Sequence, residues 1–272
     1  MSESERDVAT ERYRHRPETI ITDRGDGPAV VFAHGTLMDR TMFDPQIEAL
    51  CEEYRTVAYD LRARTDQYAQ AYDLYDLADD AAALTDALDI DSFVLCGMSM
   101  GGFMALRFAE RYPDQLDGVV LIDAIAEPHT ENEQEQYGEM AALAREEGAF
   151  SEFMVDVAKN ELFGETTLAE NQELVGHWVE RWWTYPTEAF YHEMHSWLSR
   201  PDFTDELSGI DVPVLSIHGK EDISLEPERT ESMLEALPDA RQELIPAAGH
   251  SSNVENPKAV NDALRSFLEK IY

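Results

Sequence analysis

A regular alternation of short apolar runs with amphipathic stretches is the feature that most constrains the fold of this chain. Apolar runs such as residues 28–35 and 55–60 are bounded by turn-forming residues and have the length of buried strands. The stretches at 43–54 and 74–90 instead place apolar residues at helical spacing. Strands that alternate with helices predict βαβ units, and hence an α/β fold with a mainly parallel sheet.

The alternation continues after residue 90 and is interrupted once. Further apolar runs that read as strands lie at 92–96, 117–123, 212–219 and 240–246. Further helical patterns lie at 101–113, 227–238 and 257–271. Together these segments predict a mostly parallel central β-sheet with helices on its faces.

The interval from about 127 to 205 breaks the alternation. It contains no convincing strand, is rich in Glu and Gln, and holds all four tryptophans of the chain. Four apolar residues lie at i, i+3, i+4 and i+7, which is one face of a helix: Val175, Trp178, Val179 and Trp182. We therefore predict a helical insertion that covers one edge of the sheet.

The formal net charge is −35, from 56 acidic and 21 basic residues. Acidic residues are spread along the whole chain, and such a surface resembles those of proteins from salt-accumulating organisms; the alternative is an ordinary acidic protein. Because like charges repel at low ionic strength and salt screens them, we expect thermal stability to rise up to molar salt. The negative charge makes nucleic acid and anionic membranes poor candidate partners.

The composition also bears on the cellular compartment. Residues 1–18 are polar and contain no apolar segment, which predicts that the chain has no signal peptide. No run of about 18 apolar residues occurs, so no membrane span is expected. The two cysteines, Cys51 and Cys96, are too few for a disulfide framework and lie in no metal-ligand or CxxC pattern. These features predict a cytoplasmic protein.

Residues 97–101, GMSMG, match the pattern G-x-S-x-G between a predicted strand and a predicted helix. The pattern alone is weak, because three fixed residues occur by chance in about one chain in ten of this length. Its position is stronger evidence, since a nucleophilic serine on a strained strand-to-helix turn needs glycine neighbours and gains from the free N–H groups of the helix start. We interpret Ser99 as a nucleophile; the alternative is a serine in an ordinary glycine-rich loop.

A nucleophilic serine needs a general base, and that base needs an orienting carboxylate. In this topology the acid and the histidine follow the serine along the chain, each after a late strand. Asp222 lies just beyond one predicted strand, and His250 lies in the loop after the next. They are the predicted acid and base, with Glu221 as an alternative acid. His218 lies inside a strand and is predicted to be packed or bonded to the backbone.

An oxyanion hole would require two backbone donors aimed at the tetrahedral intermediate. We predict that one is the N–H of Met100, which directly follows Ser99. The second is predicted to be the N–H of Thr36, in the loop after an early strand. His34 in the same loop is predicted to brace it rather than to act as a base.

Five segments carry a resemblance to a known family: His34-Gly35, YDLR (59–62), GMSMGG (97–102), GKED (219–222) and GHSSNVENP (249–257). With them the chain resembles the α/β-hydrolase fold superfamily from about residue 18 to its C-terminus, apart from the insertion. The most similar branch contains 3-oxoadipate enol-lactonases, small-ester hydrolases and cofactor-free haloperoxidases. Members commonly continue Asp-x-Arg with Gly-x-Gly, whereas this chain reads DLRARTDQ, which implies a reshaped loop after Arg62.

In that branch the inserted segment forms a helical cap over the active site. The resemblance therefore implies a first part of the hydrolase core at 1–126, a cap at 127–205 and a second part of the core at 206–272. Three aromatic residues of the cap are candidates for lining an apolar substrate pocket: Trp182, Trp183 and Tyr185. The alternative is that they pack the cap's own helices onto the core.

The leading hypothesis is hydrolysis of a small-molecule carboxylic ester or lactone by Ser99, His250 and Asp222, with no metal or organic cofactor. Two alternatives use the same triad: hydrolysis of a C–C bond, and formation of a peracid when peroxide intercepts the acyl-enzyme. C–C hydrolases often carry a tryptophan after the histidine, where this chain has Ser251. A further alternative is a small-molecule receptor that retains the triad. The sequence leaves the physiological substrate and the oligomeric state open.

Overall fold

A seven-stranded sheet forms the centre of the protein in the computed structural model, which describes residues 20–272. Its strands are β1 (Ile21–Arg24), β2 (Ala29–Ala33), β3 (Arg55–Tyr59), β4 (Phe93–Met98), β5 (Leu116–Ile122), β6 (Val214–Gly219) and β7 (Ala240–Ile245). Their order across the sheet is β1-β3-β2-β4-β5-β6-β7. All neighbours are parallel except β1, which pairs antiparallel with β3. The predicted mostly parallel α/β sheet is confirmed.

The central strands are apolar along their whole length because helices cover both faces of the sheet. Every residue of β2, β4 and β6 is buried. At one edge, β7 is less buried and exposes Glu243 and Leu244. The carboxyl ends of β2, β4, β5 and β6 therefore lie side by side, and the loops that follow them meet at one rim of the sheet.

Helices occupy the segments between and beyond the strands. They are α1 (Asp44–Leu50), α2 (Leu74–Ala87), α3 (Met100–Arg111), α4 (Glu131–Glu147), α5 (Glu152–Leu162), α6 (Glu165–Glu170), α7 (Gln172–Trp182), α8 (Thr187–Trp197), α9 (Glu231–Ala236), α10 (Ser252–Glu255) and α11 (Pro257–Ile271). The N-terminus of α2 is fixed by a capping box between Asp73 and Asp76. Within residues 20–272, no helix is long and apolar enough to cross a membrane.

Helices α4 to α8 make up most of the interval between β5 and β6, and no strand lies there. The amphipathic face predicted for 175–182 is buried, since Val175, Trp178 and Trp182 are each at most 3% exposed. Helix α8 packs against α4 and against the short helical turn at Arg62–Arg64, which follows β3. This helical segment therefore contacts the loops at the rim of the sheet, and its description as a separate cap stays a prediction.

Two elements escaped prediction from the sequence. Strand β1 reads ITDR, and only Ile21 of its residues is buried, so the apolar run that marks the other strands is missing. The short helix α10 lies in the segment SNVE after the predicted histidine loop. The segment 227–238 also differs from prediction, because it begins as a 3₁₀ turn at Pro227–Thr230 before α9 starts. The signal-peptide prediction concerns residues 1–18, which lie outside the described residues.

Candidate active site

Ser99 lies at the turn between β4 and α3 with a backbone φ of 50° and ψ of −114°. This conformation is strained for a residue with a side chain, and glycine neighbours make room for it. A Cβ atom at Gly97 would overlap the backbone of Gly101, and one at Gly101 would overlap the carbonyl of Ala33 at the end of β2. The Ser99 N–H donates to the carbonyl of Ile122 at 2.8 Å, which fastens the turn to β5.

The structure brings Ser99, His250 and Asp222 together from three separate loops. Nε2 of His250 lies 2.9 Å from Oγ of Ser99, and Nδ1 of His250 lies 2.8 Å from Oδ2 of Asp222. All three residues are less than 9% exposed. A carboxylate that accepts from Nδ1–H leaves Nε2 as the bare nitrogen, so the imidazole is oriented to accept the Ser99 proton.

The electrostatic surroundings favour a charged imidazole at His250. Burial of the ring lowers its pKa, but the charge and hydrogen bond of Asp222 outweigh burial and raise the pKa of His250 to about 9. Asp222 is buried, which raises its pKa, but His250 and His218 hold the pKa of this carboxyl well below its usual range. Asp222 is therefore an anion over the whole neutral range, suited to stabilise a protonated His250.

The alternative acid, Glu221, points elsewhere. Its carboxylate accepts from the N–H of Thr166 at 2.8 Å and from the hydroxyl of the same residue at 2.6 Å. This carboxylate therefore holds the start of α6. The structure does not bring it to His250.

Two buried residues beside the triad were not singled out as site residues by the sequence reasoning. Oδ1 and Oδ2 of Asp123 accept from the N–H groups of Gly219 at 2.8 Å and Ser252 at 3.0 Å. Nε2 of His218 lies 2.7 Å from the carbonyl of Leu225 and 3.1 Å from Oδ2 of Asp222. His218 is thus both packed in its strand, as predicted, and bonded to the candidate acid. The sequence offered one signal that Asp123 lies at the site, which is its position directly after β5.

Asp123, His218 and Asp222 have donor atoms within 4.8 Å of one another, the spacing of a metal site. The carboxylate oxygens of Asp123 and Asp222 and Nε2 of His218 already have protein partners. Oδ1 of Asp222 accepts from the N–H groups of Ser224 and Leu225, both at 2.9 Å, and both oxygens of Asp123 accept backbone N–H groups. Because these carboxylate oxygens already accept backbone N–H groups, the three side chains fit a hydrogen-bond network better than a set of metal ligands. That network holds the loops around His250.

Thr36 and Met100 are the two predicted oxyanion donors, and Met100 directly follows Ser99. Met100 is the first residue of α3, so its N–H has no acceptor within the helix. Thr36 lines the same cavity as Ser99, and its hydroxyl lies 3.9 Å from Sδ of Met100. Neither N–H has a hydrogen-bond acceptor in the part of the chain that the structure describes. Both donors are therefore available to a bound group.

His34 holds the loop that carries Thr36. Its Nε2 accepts the N–H of Leu61 at 2.9 Å, and its Nδ1 donates to the carbonyl of Gly35 at 2.9 Å. Burial and the positive charge of Arg64 lower the pKa of His34 to about 3, so this imidazole is neutral. These bonds match the bracing role predicted for it.

A cavity that opens to solvent reaches Ser99 and His250, and the empty space within it, including solvent at its mouth, is about 790 Å³. Its wall is mostly apolar, and six aromatic side chains contribute to it: Phe103, Tyr137, Phe150, Trp182, Phe190 and Trp197. Most of them lie on α4, α7 and α8 or beside them, so the helical segment after β5 supplies much of the wall. A mostly apolar wall around Ser99 and His250 suits a small organic molecule with an apolar group.

Of the three predicted substrate-binding residues, the structure brings only Trp182 to this cavity. Trp183 is 46% exposed on the surface. The ring of Tyr185 lies against the guanidinium of Arg64, with 3.9 Å from Cζ to the ring centroid, and its hydroxyl donates to Asp39 at 2.9 Å. Helical spacing in the sequence identified the buried face of α7. It could not distinguish residues that line the cavity from residues that pack elsewhere.

A family model described as the alpha/beta hydrolase fold matches residues 28–257. The chain belongs to this family. In the α/β-hydrolase fold the nucleophile lies on a sharp turn from a strand into a helix, and the acid and the histidine follow it along the chain.

Three individual similarities agree with the branch indicated by the sequence motifs. The α/β-hydrolase described here is 29% identical over 264 residues to a non-heme haloperoxidase of Rhodococcus erythropolis, covering 93% of this chain and 96% of that one. It is 25% identical over 275 residues to 3-oxoadipate enol-lactonase 1 of Acinetobacter baylyi, covering 100% of both. A solved structure of a thermophilic esterase from Thermogutta terrifontis superposes with a TM-score of 0.87 at 32% identity, covering 92% of this chain and 93% of that one.

Proposed function

We propose that this α/β-hydrolase is a serine-dependent hydrolase of small carboxylic esters or lactones, with Ser99 as nucleophile, His250 as base and Asp222 as the orienting acid. The observation that carries the proposal is the continuous chain of short contacts from Ser99 to His250 to Asp222. The esterase and lactonase names of its relatives support the same reaction class.

In the acylation step, Oγ of Ser99 attacks the carbonyl carbon of the substrate while its proton passes to Nε2 of His250. The carbonyl oxygen becomes an oxyanion in the tetrahedral intermediate. When the intermediate collapses, the C–O bond to the leaving group breaks, and the leaving oxygen takes the proton from His250. The products of this step are an alcohol and an acyl ester of Ser99; a lactone releases its own alcohol as the far end of the acyl chain.

In the deacylation step, water takes the place of the alcohol. His250 accepts a proton from the water as its oxygen attacks the acyl carbon, and the proton is then returned to Oγ of Ser99. The carboxylic acid leaves and the free serine is restored. Both steps need only protons that His250 exchanges, so the reaction requires no metal or organic cofactor.

The oxyanion of both intermediates would be held by the N–H groups of Thr36 and Met100. Met100 also places the positive end of the α3 dipole at the oxyanion. The preorganised donors act in a largely apolar cavity, where each hydrogen bond to a developing charge contributes about 2.7–4 kcal/mol to the transition state in comparable enzymes.

The test is turnover of a panel of short esters and lactones by Ser99→Ala. We expect activity to fall by about six orders of magnitude, since the nucleophile cannot be replaced by its neighbours. Ser208→Ala is the matched control, because Ser208 is exposed and lies in the 3₁₀ turn before β6, away from the cavity. Ser208→Ala should retain full activity.

Two results would overturn the proposal. One is a Ser99→Ala enzyme that hydrolyses the panel as fast as the unchanged protein. The other is an unchanged protein that reacts with a fluorophosphonate at Ser99 but turns over no ester or lactone, which is the behaviour of a small-molecule receptor with an intact triad.

A further inference from the structure

The cavity wall formed by the described residues contains one carboxylate and no Lys or Arg. Glu161, on α5, is the only Asp or Glu among the described residues that line the cavity, and none of those residues is Lys or Arg. Its Oε2 accepts from the hydroxyl of Tyr137 at 3.3 Å, and no ion pair engages it in residues 20–272. Burial raises the pKa of Glu161, which reports a carboxylate with little solvent around it.

The charge of Glu161 also reaches the candidate triad. Its charge contributes to the raised pKa of His250, so the carboxylate is close enough to influence groups beside Ser99. When His250 is neutral, as it must be to act as a base, a second anion bound in the same apolar cavity would be repelled by Glu161 and would find no Lys or Arg among the described wall residues to pair with. The net charge of −35 adds to the same effect outside the cavity, where salt screens it.

We infer that the cavity selects uncharged esters and rejects substrates that carry a carboxylate, with Glu161 as the residue that sets this preference. The inference rests on the proposed function, because it concerns the substrate of the same site. An ester that also carries an ionised carboxylate elsewhere in the molecule is thereby a poor substrate, although its ester bond is of the kind that the triad would cleave.

The experiment compares two methyl esters of equal size, monomethyl glutarate and its uncharged amide isostere, methyl 5-amino-5-oxopentanoate. We expect the unchanged protein to hydrolyse the amide-bearing ester with the higher kcat/KM. Glu161→Gln should reduce the ratio of the two kcat/KM values by about tenfold, the effect of one charge interaction in a partly buried site. Glu165→Gln is the matched control, since it removes the same charge at an exposed position outside the cavity.

The outcomes separate this inference from the proposed function. If activity depends on Ser99 but the ratio of the two kcat/KM values is the same in Glu161→Gln and Glu165→Gln, the charge selection is overturned. The proposed hydrolase function is then unaffected. An activity that survives Ser99→Ala on the amide-bearing ester overturns the proposed function instead. Equal rates on both esters in the unchanged protein also overturn the charge selection.

A second, independent observation concerns Leu37, which follows the candidate oxyanion residue Thr36. Leu37 is buried and has a φ of 62°, an unfavourable conformation for a residue with a side chain. Its N–H donates to Oε2 of Glu193 at 3.2 Å, and its carbonyl accepts from Nε1 of Trp182 at 2.8 Å. Both backbone groups of this strained residue are therefore bonded to side chains of helices α7 and α8.

The neighbouring loop residues are held in the same way. Nε of Arg181 on α7 donates to Oδ2 of Asp39 at 2.9 Å. Arg64 links the two sides, because it donates to the carbonyl of Met38 at 2.9 Å and to Oε2 of Glu193 at 3.0 Å. Residues 37–39 belong to no helix or strand, so these long-range bonds supply their support.

The geometry points to Trp182 and Glu193 as positioning residues that hold the Thr36 N–H in place for the oxyanion, an inference that rests on the proposed function. Neither side chain touches the reacting atoms in this role; each acts through the backbone of Leu37. The helical segment after β5 thereby contributes to the transition state as well as to the cavity wall.

Trp182→Phe tests this role, because it removes the N–H donor and keeps an aromatic ring in the cavity wall. We expect kcat to fall about tenfold with KM nearly unchanged, since a displaced oxyanion donor affects the transition state more than the bound substrate. A boronic acid that forms a tetrahedral adduct with Ser99 should lose affinity by a similar factor, whereas a product carboxylic acid should bind as before.

Glu193→Gln and Glu193→Ala extend the test. Glutamine keeps an acceptor for the Leu37 N–H and should retain most of kcat, while alanine leaves Leu37 and Arg64 without their partner and should lower kcat. Should Glu193→Ala fail to fold, Trp182→Phe decides the question. A rise in KM with unchanged kcat in Trp182→Phe overturns the positioning role and makes Trp182 a wall residue only; a lower melting temperature with unchanged kinetics also overturns it.

Discussion

At the scale of single residues, the proposed chemistry depends on how Asp222 and burial act in opposite directions on the pKa of His250. The imidazole must be neutral to accept the Ser99 proton, yet its surroundings raise its pKa to about 9. Below that pKa most of the protein holds a protonated His250, which cannot act as a base. Activity should therefore increase with pH rather than stay level across the neutral range.

The pH dependence of kcat/KM on an uncharged ester tests this. We expect an ascending profile whose midpoint reports the raised pKa of His250 in the free protein. Glu161→Gln should move the midpoint to lower pH, because the Glu161 charge is one cause of the raised pKa. Glu165→Gln should leave it in place. A level profile from pH 6 to 10, or an equal shift in both variants, would contradict the assignment of His250 as base.

At the scale of secondary-structure elements, the turn that carries Ser99 depends on the close approach of α3 to the end of β2. The contact is made by Gly101, which has no room for a Cβ atom beside the carbonyl of Ala33. Gly176, in α7, is the opposite case, because a Cβ atom there would meet nothing within 4 Å. The same substitution should therefore have opposite effects at the two positions.

Gly101→Ala should lower the free energy of unfolding by about 1–3 kcal/mol, the usual cost of a forced clash in a packed core, and should lower kcat as the turn shifts. Gly176→Ala should raise the free energy of unfolding by roughly 0.5–1 kcal/mol, the difference between the helix propensities of glycine and alanine. Urea denaturation of both variants measures this. Stabilisation by Gly101→Ala would refute the close packing of α3 on β2.

The elements also explain what sequence reasoning could reach. Buried parallel strands such as β4 are continuous apolar runs, and the order of Ser99, Asp222 and His250 follows from the topology, so these were predictable. Strand β1 was missed because a four-residue edge strand pairs through its backbone and needs few apolar residues. The bonds from Leu37 to Trp182 and Glu193 span 145 and 156 residues, a separation that local patterns do not encode.

At the scale of the whole molecule, charge is the dominant feature. If every Lys and Arg paired with one acidic residue, 56 − 21 = 35 acidic side chains would still lack a basic partner. Such an excess repels itself in the compact state and less so in an expanded one, so low ionic strength should destabilise the fold. Salt shortens the range of this repulsion to about 3 Å at 1 M.

The melting temperature should therefore rise steeply as salt is raised towards molar concentration. A variant with Glu146, Glu147 and Glu152 replaced by Gln serves as comparison, because these exposed residues add three charges near one another at α4 and α5. It should melt higher than the unchanged protein at low salt, with the difference narrowing at high salt. A melting temperature that does not respond to salt would contradict an adaptation of this surface to high ionic strength.

The central claim is that Ser99 is a nucleophile activated by His250, and covalent labelling tests it most directly. The protein is treated with a fluorophosphonate, and the adduct is located by intact mass and peptide mapping. We predict a single phosphonyl group on Ser99, absent in Ser99→Ala and formed far more slowly in His250→Ala. An adduct on another residue, or labelling of Ser99→Ala at the rate of the unchanged protein, would contradict the claim.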